Sequence, residues 1–131
     1  VQSKPLVLIV EDDATLRFLA RKQLAIVGLE CHLACNGIQA VNMARQNYDL
    51  IFMDLSMPEM NGLDASVQIR QDELNEGRSR TPIIALTAFS ERDKCTAAGM
   101  DGFIQKPLLL DQLRAVLKTF LNYGTNGDSS A

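Results

Sequence analysis

Five times along this chain a short apolar run stops at a polar or charged residue and gives way to a stretch with helical spacing, and that alternation constrains the fold more than any other feature. Leu6 to Val10 is apolar throughout, as in a strand buried on both faces, and it ends at Glu11-Asp12-Asp13. Leu16, Ala20, Leu24 and Val27 then recur at helical spacing until Gly28 supplies a stop. Cys31 to Ala34 reads as a second strand, Ile38 to Arg45 as a helix on Ala40, Val41 and Ala44, and Tyr48 to Met53 as a third strand ending at Asp54. Pro58 and Asn61-Gly62 mark a loop, and the spacing predicts a helix over Leu63 to Gln71 that dissolves into the polar segment around Glu76, Gly77, Arg78 and Arg80. Ile83 to Leu86 follows Pro82 and ends at Thr87. Glu91 to Ala98 is a weaker helix closed by Gly99, Gly102 to Ile104 a fifth strand ending near Lys106-Pro107, and Leu110 to Tyr123 a final amphipathic helix.

Strands alternating with helices of this length imply right-handed crossovers, hence an α/β fold with a parallel sheet between two helical layers. At 131 residues one domain is expected, over 1–123, with a polar, frayed tail over 124–131. Sheets of this kind carry their sites at the carboxyl ends of the strands. Glu11, Asp12, Asp13, Asp54, Thr87 and Lys106 all fall there, so residues distant in sequence converge on one crevice.

Crowded carboxylates raise one another's pKa unless a cation neutralises them, and all-oxygen ligands suit a hard ion such as Mg²⁺. A carboxylate beside that ion is a competent nucleophile toward phosphorus, because the ion screens the repulsion between two anions. Asp54 is the natural candidate. Lys106 can pair with a phosphoryl oxygen and the Thr87 hydroxyl can donate to another. Each residue alone has a blander reading: Asp13 as a helix N-cap, Lys106 as a solvated side chain, Thr87 as a strand-end hydroxyl bonded to backbone. Their joint placement at four strand ends favours a phosphoryl site.

A net charge of −3 argues against direct nucleic-acid binding, and no apolar run is long enough to cross a membrane. Cys31, Cys35 and Cys95 are odd in number and lack zinc spacing, so they read as free buried thiols in a reducing cytoplasm. With Val1-Gln2-Ser3 at its start the chain has no secretory leader and reads as excised from something longer, whose parent could itself be membrane-anchored.

The phrases Val10-Glu11-Asp12-Asp13, Met53 to Gly62 (MDLSMPEMNG), Ala85-Leu86-Thr87-Ala88 and Lys106-Pro107 together resemble a response-regulator receiver domain, in order from about Leu6 to Leu121. The resemblance implies a flavodoxin-like (βα)5 sandwich with strand order 2-1-3-4-5, a topology the family illustrates. It implies Asp54 as phosphoacceptor, Glu11 and Asp12 as the acidic pair, and the Ser56 carbonyl as a further metal ligand, with Glu11 acting mainly through water. The run Glu11-Asp12-Asp13 allows two registers one place apart. Thr87 and Phe103 resemble the switch pair, although phenylalanine cannot make the phenolic hydrogen bond of the commoner tyrosine. Lys106-Pro107 resembles the family's cis peptide. Ser56 and Phe89 stand where the family tunes phosphate lifetime, an apolar Phe89 favouring a longer one.

The phrases Ala98 to Phe103 (AGMDGF) and Thr81 to Ala88 (TPIIALTA) look most like receivers of hybrid histidine kinases, which implies a histidine kinase or a histidine phosphotransfer domain as partner. Phe18 lies roughly 200° around the first helix from Leu16 at about 100° per residue, so Leu16 and Phe18 are a candidate docking edge; the alternative is that Phe18 tucks under a loop. His32 reads as structural. A stand-alone response regulator and a Mg²⁺-dependent phosphatase are the alternatives. The phosphatase is disfavoured because Ser56 stands where a second acid would be needed, and a nucleotide-binding fold because no glycine fingerprint follows the first strand. A receiver acts only on its own aspartate, so the chain is not expected to be an enzyme.

Overall fold

A computed structural model describes residues 4–88 and 92–124. Its elements run β1 (Val7–Val10), α1 (Ala14–Ile26), β2 (Cys31–Ala34), α2 (Gly37–Met43), β3 (Leu50–Asp54), α3 (Gly62–Glu76), β4 (Ile83–Thr87), α4 (Arg92–Ala97), β5 (Gly102–Gln105) and α5 (Leu110–Leu121). All strand pairings are parallel, in the order β2-β1-β3-β4-β5. This is the flavodoxin-like order expected.

Two apolar layers explain why the strands are hydrophobic without alternation. Alternate strand residues point to opposite faces, so Leu8, Val10, Ile51, Met53, Ile83 and Ala85 meet Ala40, Ala44, Ala65, Ile69 and Cys95 on one side of the sheet. Val7, Ile9, Leu50, Phe52, Ile84, Leu86 and Ile104 meet Ala20, Leu24, Leu113 and Leu117 on the other. With both faces covered, β1, β3 and β4 are buried along their whole length.

The longest departure from the sequence reading is α3, which continues past Gln71 to Glu76. Its last turns are polar, yet their charges are paired. Gln68 Nε2 donates to Asp72 Oδ1 at 2.9 Å, Arg70 Nη1 to Glu73 Oε1 at 2.9 Å, and Arg45 lies 3.7 Å from Glu76. Helical spacing of apolar residues cannot report a helix end held by ion pairs. Gly77 closes it at φ 64°, a conformation costly for residues with a Cβ. Elsewhere β3 starts at Leu50 and α5 ends at Leu121, each two residues inside the expected span; Asn122 takes the left-handed cap at φ 54°. Tyr48 is spent outside the strand, its hydroxyl 2.7 Å from His32 Nδ1, which gives His32 its expected structural partner.

None of the three cysteines is in a disulfide, but only Cys95 is buried; Cys31 is half-buried and Cys35 exposed, because β2 is an edge strand and Cys35 lies just past its end. No helix among the described residues is long and apolar enough to cross a membrane. Phe89 and residues 125–131 lie outside the described residues.

Candidate functional site

Register brings the site together. Val10 pairs with Met53 and Asp54 with Leu86, so β1, β3 and β4 end side by side at their carboxyl termini, and Thr87 pairs with Gln105 next door. Lys106 N donates to Thr87 O at 2.7 Å, which carries the lysine over the same edge. The three acids after β1 have divided roles. Glu11 is buried and its Oε2 accepts from Asp13 N at 3.2 Å; Asp12 is exposed; Asp13 Oδ1 caps α1 by accepting from Leu16 N at 2.9 Å. The N-cap reading of Asp13 therefore holds, and it leaves Glu11 and Asp12 to the crevice.

Glu11, Asp12 and Asp54 each offer a carboxylate oxygen within 4.8 Å of the others. Lys106 Nζ lies 2.8 Å from Asp54 Oδ1 and 3.2 Å from Glu11 Oε1. Ser56 N also donates to Asp54 Oδ1, at 3.1 Å, whereas the buried Asp54 Oδ2 has no hydrogen-bond partner among the described residues. Burial, joined by the hydrogen bond to Asp54, pushes the Glu11 carboxyl up to about 7, against the pull of the Asp13 amide and of Lys106. Burial lowers the Lys106 ammonium, but the Asp54 and Glu11 carboxylates outweigh it and hold that group above the ordinary lysine range.

With all three ionised, Glu11, Asp12 and Asp54 outnumber the Lys106 ammonium by two charges, the charge of one divalent cation. The orphaned Asp54 Oδ2 and the raised Glu11 carboxyl both mark a site that its own lysine does not balance. Hard oxygen donors crowded in this way fit Mg²⁺, and Glu11, Asp12 and Asp54 are the side chains that could hold it.

The response regulator receiver domain family matches residues 7–118. The chain belongs to that family. Hybrid signal transduction histidine kinase F of Dictyostelium discoideum is 39% identical over 131 residues, covering 96% of this chain and 12% of the kinase. The chain thus spans about an eighth of that relative's length. Among solved structures, the receiver domain of sensor histidine kinase PA1611 from Pseudomonas aeruginosa, with a magnesium ion coordinated in the active site cleft, superposes at a TM-score of 0.80 with 33% identity over 92% of this chain and 99% of that one. The receiver domain of the Saccharomyces cerevisiae response regulator Ssk1, co-crystallised with the histidine phosphotransfer protein Ypd1, gives 0.80 with 32% identity over 95% and 91%.

Around the acids, the receiver places its other expected residues as follows. Thr87 is buried at the end of β4, and the Lys106–Pro107 peptide is cis. Phe103 is half-buried on β5, with the Arg92 guanidinium 4.8 Å from its ring centroid. Ser56 is exposed. Phe18 is 61% exposed with Lys22 Nζ 5.3 Å from its ring, so it does not tuck under a loop; Leu16 is half-buried and borders a small cavity with Glu11, Lys106 and Pro107.

Two features of the receiver were not read from the sequence as site residues. Asn61-Gly62, taken as a loop marker, is the start of α3: Asn61 Oδ1 accepts from Asp64 N at 2.9 Å, and a Cβ on Gly62 would stand 2.2 Å from Asp54 O. The glycine lets α3 press on the backbone of Asp54. Arg17, missed altogether, lies on α1 with Nη1 bonded to the carbonyls of Glu11 and Asp12. An arginine one helical turn beyond an acidic strand end was the available signal.

Proposed function

We propose that this receiver accepts a phosphoryl group on Asp54 from a phosphohistidine, with Mg²⁺ held by Glu11, Asp12, Asp54 and the Ser56 carbonyl, as one step of a phosphorelay in a hybrid histidine kinase. The observation that carries the reading is the asymmetry of the Asp54 carboxylate. Oδ1 is held by Lys106 and Ser56 N, while Oδ2 has no hydrogen-bond partner among the described residues, so one oxygen of the carboxylate is uncommitted.

As an Asp54 oxygen forms its bond to phosphorus, the P–N bond of the donor breaks and its electron pair leaves on the imidazole nitrogen. Lys106 neutralises an equatorial phosphoryl oxygen, and the Thr87 hydroxyl donates to another. The bound cation supplies charge screening between the entering phosphate and the carboxylates. Burial of Asp54, Glu11 and Thr87 keeps bulk water from dispersing these interactions. Phe103 then follows Thr87 as the ring half of the switch. Residues 1–123 act as the receiver and 124–131 as a polar tail.

The exposed Phe18 ring and half-buried Leu16 form the edge on which a histidine kinase or a phosphotransfer domain docks, beside the crevice. The Ssk1–Ypd1 complex supports a partner of that kind. The domain works in the cytoplasm and catalyses no reaction beyond that of its own aspartate.

Intact-mass spectrometry after incubation with Mg²⁺ and acetyl phosphate tests the reading. A single Mg²⁺-dependent phosphoryl adduct, absent in Asp54→Asn, is expected. An adduct that persists in Asp54→Asn, or none at all with a competent donor, would refute it.

A further inference from the structure

Three carboxylates within 4.8 Å repel one another, and among the described residues the β1–α1 turn that bears two of them is tied to the sheet by Glu11 N, which donates to Ala34 O at 3.1 Å. Left to itself such a turn relaxes by rotating its acids apart. Arg17 prevents this. Its Nη1 donates to Glu11 O at 2.8 Å and to Asp12 O at 3.1 Å, while its own amide donates to Asp13 O at 2.9 Å. One residue on the first turn of α1 thus fixes all three carbonyls of the acidic run.

We propose that Arg17 is a positioning residue for divalent-cation binding, a lock on the backbone that presents Glu11 and Asp12. The proposal rests on the reading of those acids as cation ligands. Its physical core is where the bonds go. Lys106 binds carboxylate oxygens and so competes with a cation for them, whereas the Arg17 side-chain bonds among the described residues go to carbonyls and leave the carboxylates uncommitted. Both bonds leave one nitrogen, Nη1, whose two N–H donors are fixed in the guanidinium plane, whereas those of an ammonium rotate. Rigidity imposed before binding is preorganisation: the repulsion among the acids is already borne by the folded chain, so a cation gains the whole of its attraction. Groups that orient ligands from behind typically change metal affinity by about 10–100-fold when removed.

The opposing effect is electrostatic. A cationic side chain near a cation site repels the ion, so loss of Arg17 through charge alone would tighten binding. The two accounts predict opposite signs.

The test is a titration of the ¹⁵N-labelled chain with MgCl₂ alone, followed by amide chemical shifts, for the wild type, Arg17→Met and Arg17→Lys. Arg17→Met is expected to weaken Mg²⁺ binding about tenfold, with Arg17→Lys intermediate, since the lysine ammonium sits one bond nearer the backbone than Nη1 and on a stem without the fixed guanidinium plane. Adduct formation from acetyl phosphate should fall at low Mg²⁺ and recover when Mg²⁺ is saturating, a pattern that general destabilisation does not give. If Arg17→Met does not fold, Arg17→Lys carries the comparison by itself. Unchanged or tighter binding in a folded variant overturns the proposal. Absence of Mg²⁺-dependent shifts in the wild type overturns instead the cation reading on which it stands.

Discussion

At the amino ends of β4 and β5, Arg70 lies 2.9 Å from Glu73 and 2.7 Å from Asp101, Arg80 reaches Asp101 at 2.8 Å, Glu73 Oε2 accepts from Thr81 N, and the Asp101 oxygen that faces Arg70 also accepts from Ile83 N. Two cations there face two anions, and Arg70 also donates to the carbonyls of Gly99 and Thr81. At the carboxyl ends of β1 and β3, Lys106 pairs with Glu11 and Asp54, Asp12 lies beside them, and one Asp54 oxygen has no hydrogen-bond partner among the described residues. Similar residue types are used to opposite effect. The first cluster is a closed staple between α3 and the strand starts; the second, with its acids ionised, carries two more negative charges than Lys106 offsets, and that excess draws in a cation, whose charge would screen an incoming phosphoryl group.

The sharpest way to break the comparison is to remove charge at each end in turn. Asp54→Asn should abolish the Mg²⁺-dependent adduct while leaving the far-ultraviolet circular dichroism spectrum unchanged. Chelation of Mg²⁺ should do the same in the wild type. Arg70→Met, at the opposite end, should leave adduct formation per folded molecule intact but cost about 3 kcal/mol in urea denaturation, because the buried Glu73 then keeps only the Thr81 amide, while Asp101 retains Arg80. Equal loss of phosphorylation in both variants would show that the two ends are not separable.

Gly62→Ala sharpens the comparison from within the active end. Its Cβ would enter the space of the Asp54 carbonyl, so stability should fall by about 2 kcal/mol and the adduct rate with it. A variant whose adduct rate is untouched would mean that α3 does not set the position of Asp54. Phe18→Ala should have the smallest effect: stability within about 0.5 kcal/mol of wild type, since the ring is 61% exposed, and a several-fold slower transfer from a phosphotransfer domain with no change for acetyl phosphate.

The sheet and the crevice were both legible in the sequence because their signals are local and apolar: Leu6 to Val10, Leu50 to Met53 and Ile83 to Leu86 are continuous runs that end where the polar residues begin. Asp54, Asp12 and Lys106 could be named because parallel strands carry their ends to one edge. What escaped notice depends on polar contacts between distant residues. The extra turn of α3 exists because Asp72, Glu73 and Glu76 find Gln68, Arg70 and Arg45. Gly62 reads as a turn residue until Asp54 O is found against it, and Arg17 reads as a solvated helix charge until its bonds to Glu11 O and Asp12 O are known. Hydrogen bonds to carbonyls leave no periodicity to read.

Reductive trapping tests the central claim most directly. The wild-type chain is treated with acetyl phosphate and Mg²⁺, then with borohydride, which converts an acyl phosphate to the corresponding alcohol, and is mapped by peptide mass spectrometry. The account predicts homoserine at position 54 and unmodified acids at Glu11, Asp12 and Asp13. Reduction at one of those acids, or a phosphoryl group that survives borohydride on a serine or threonine, would contradict it.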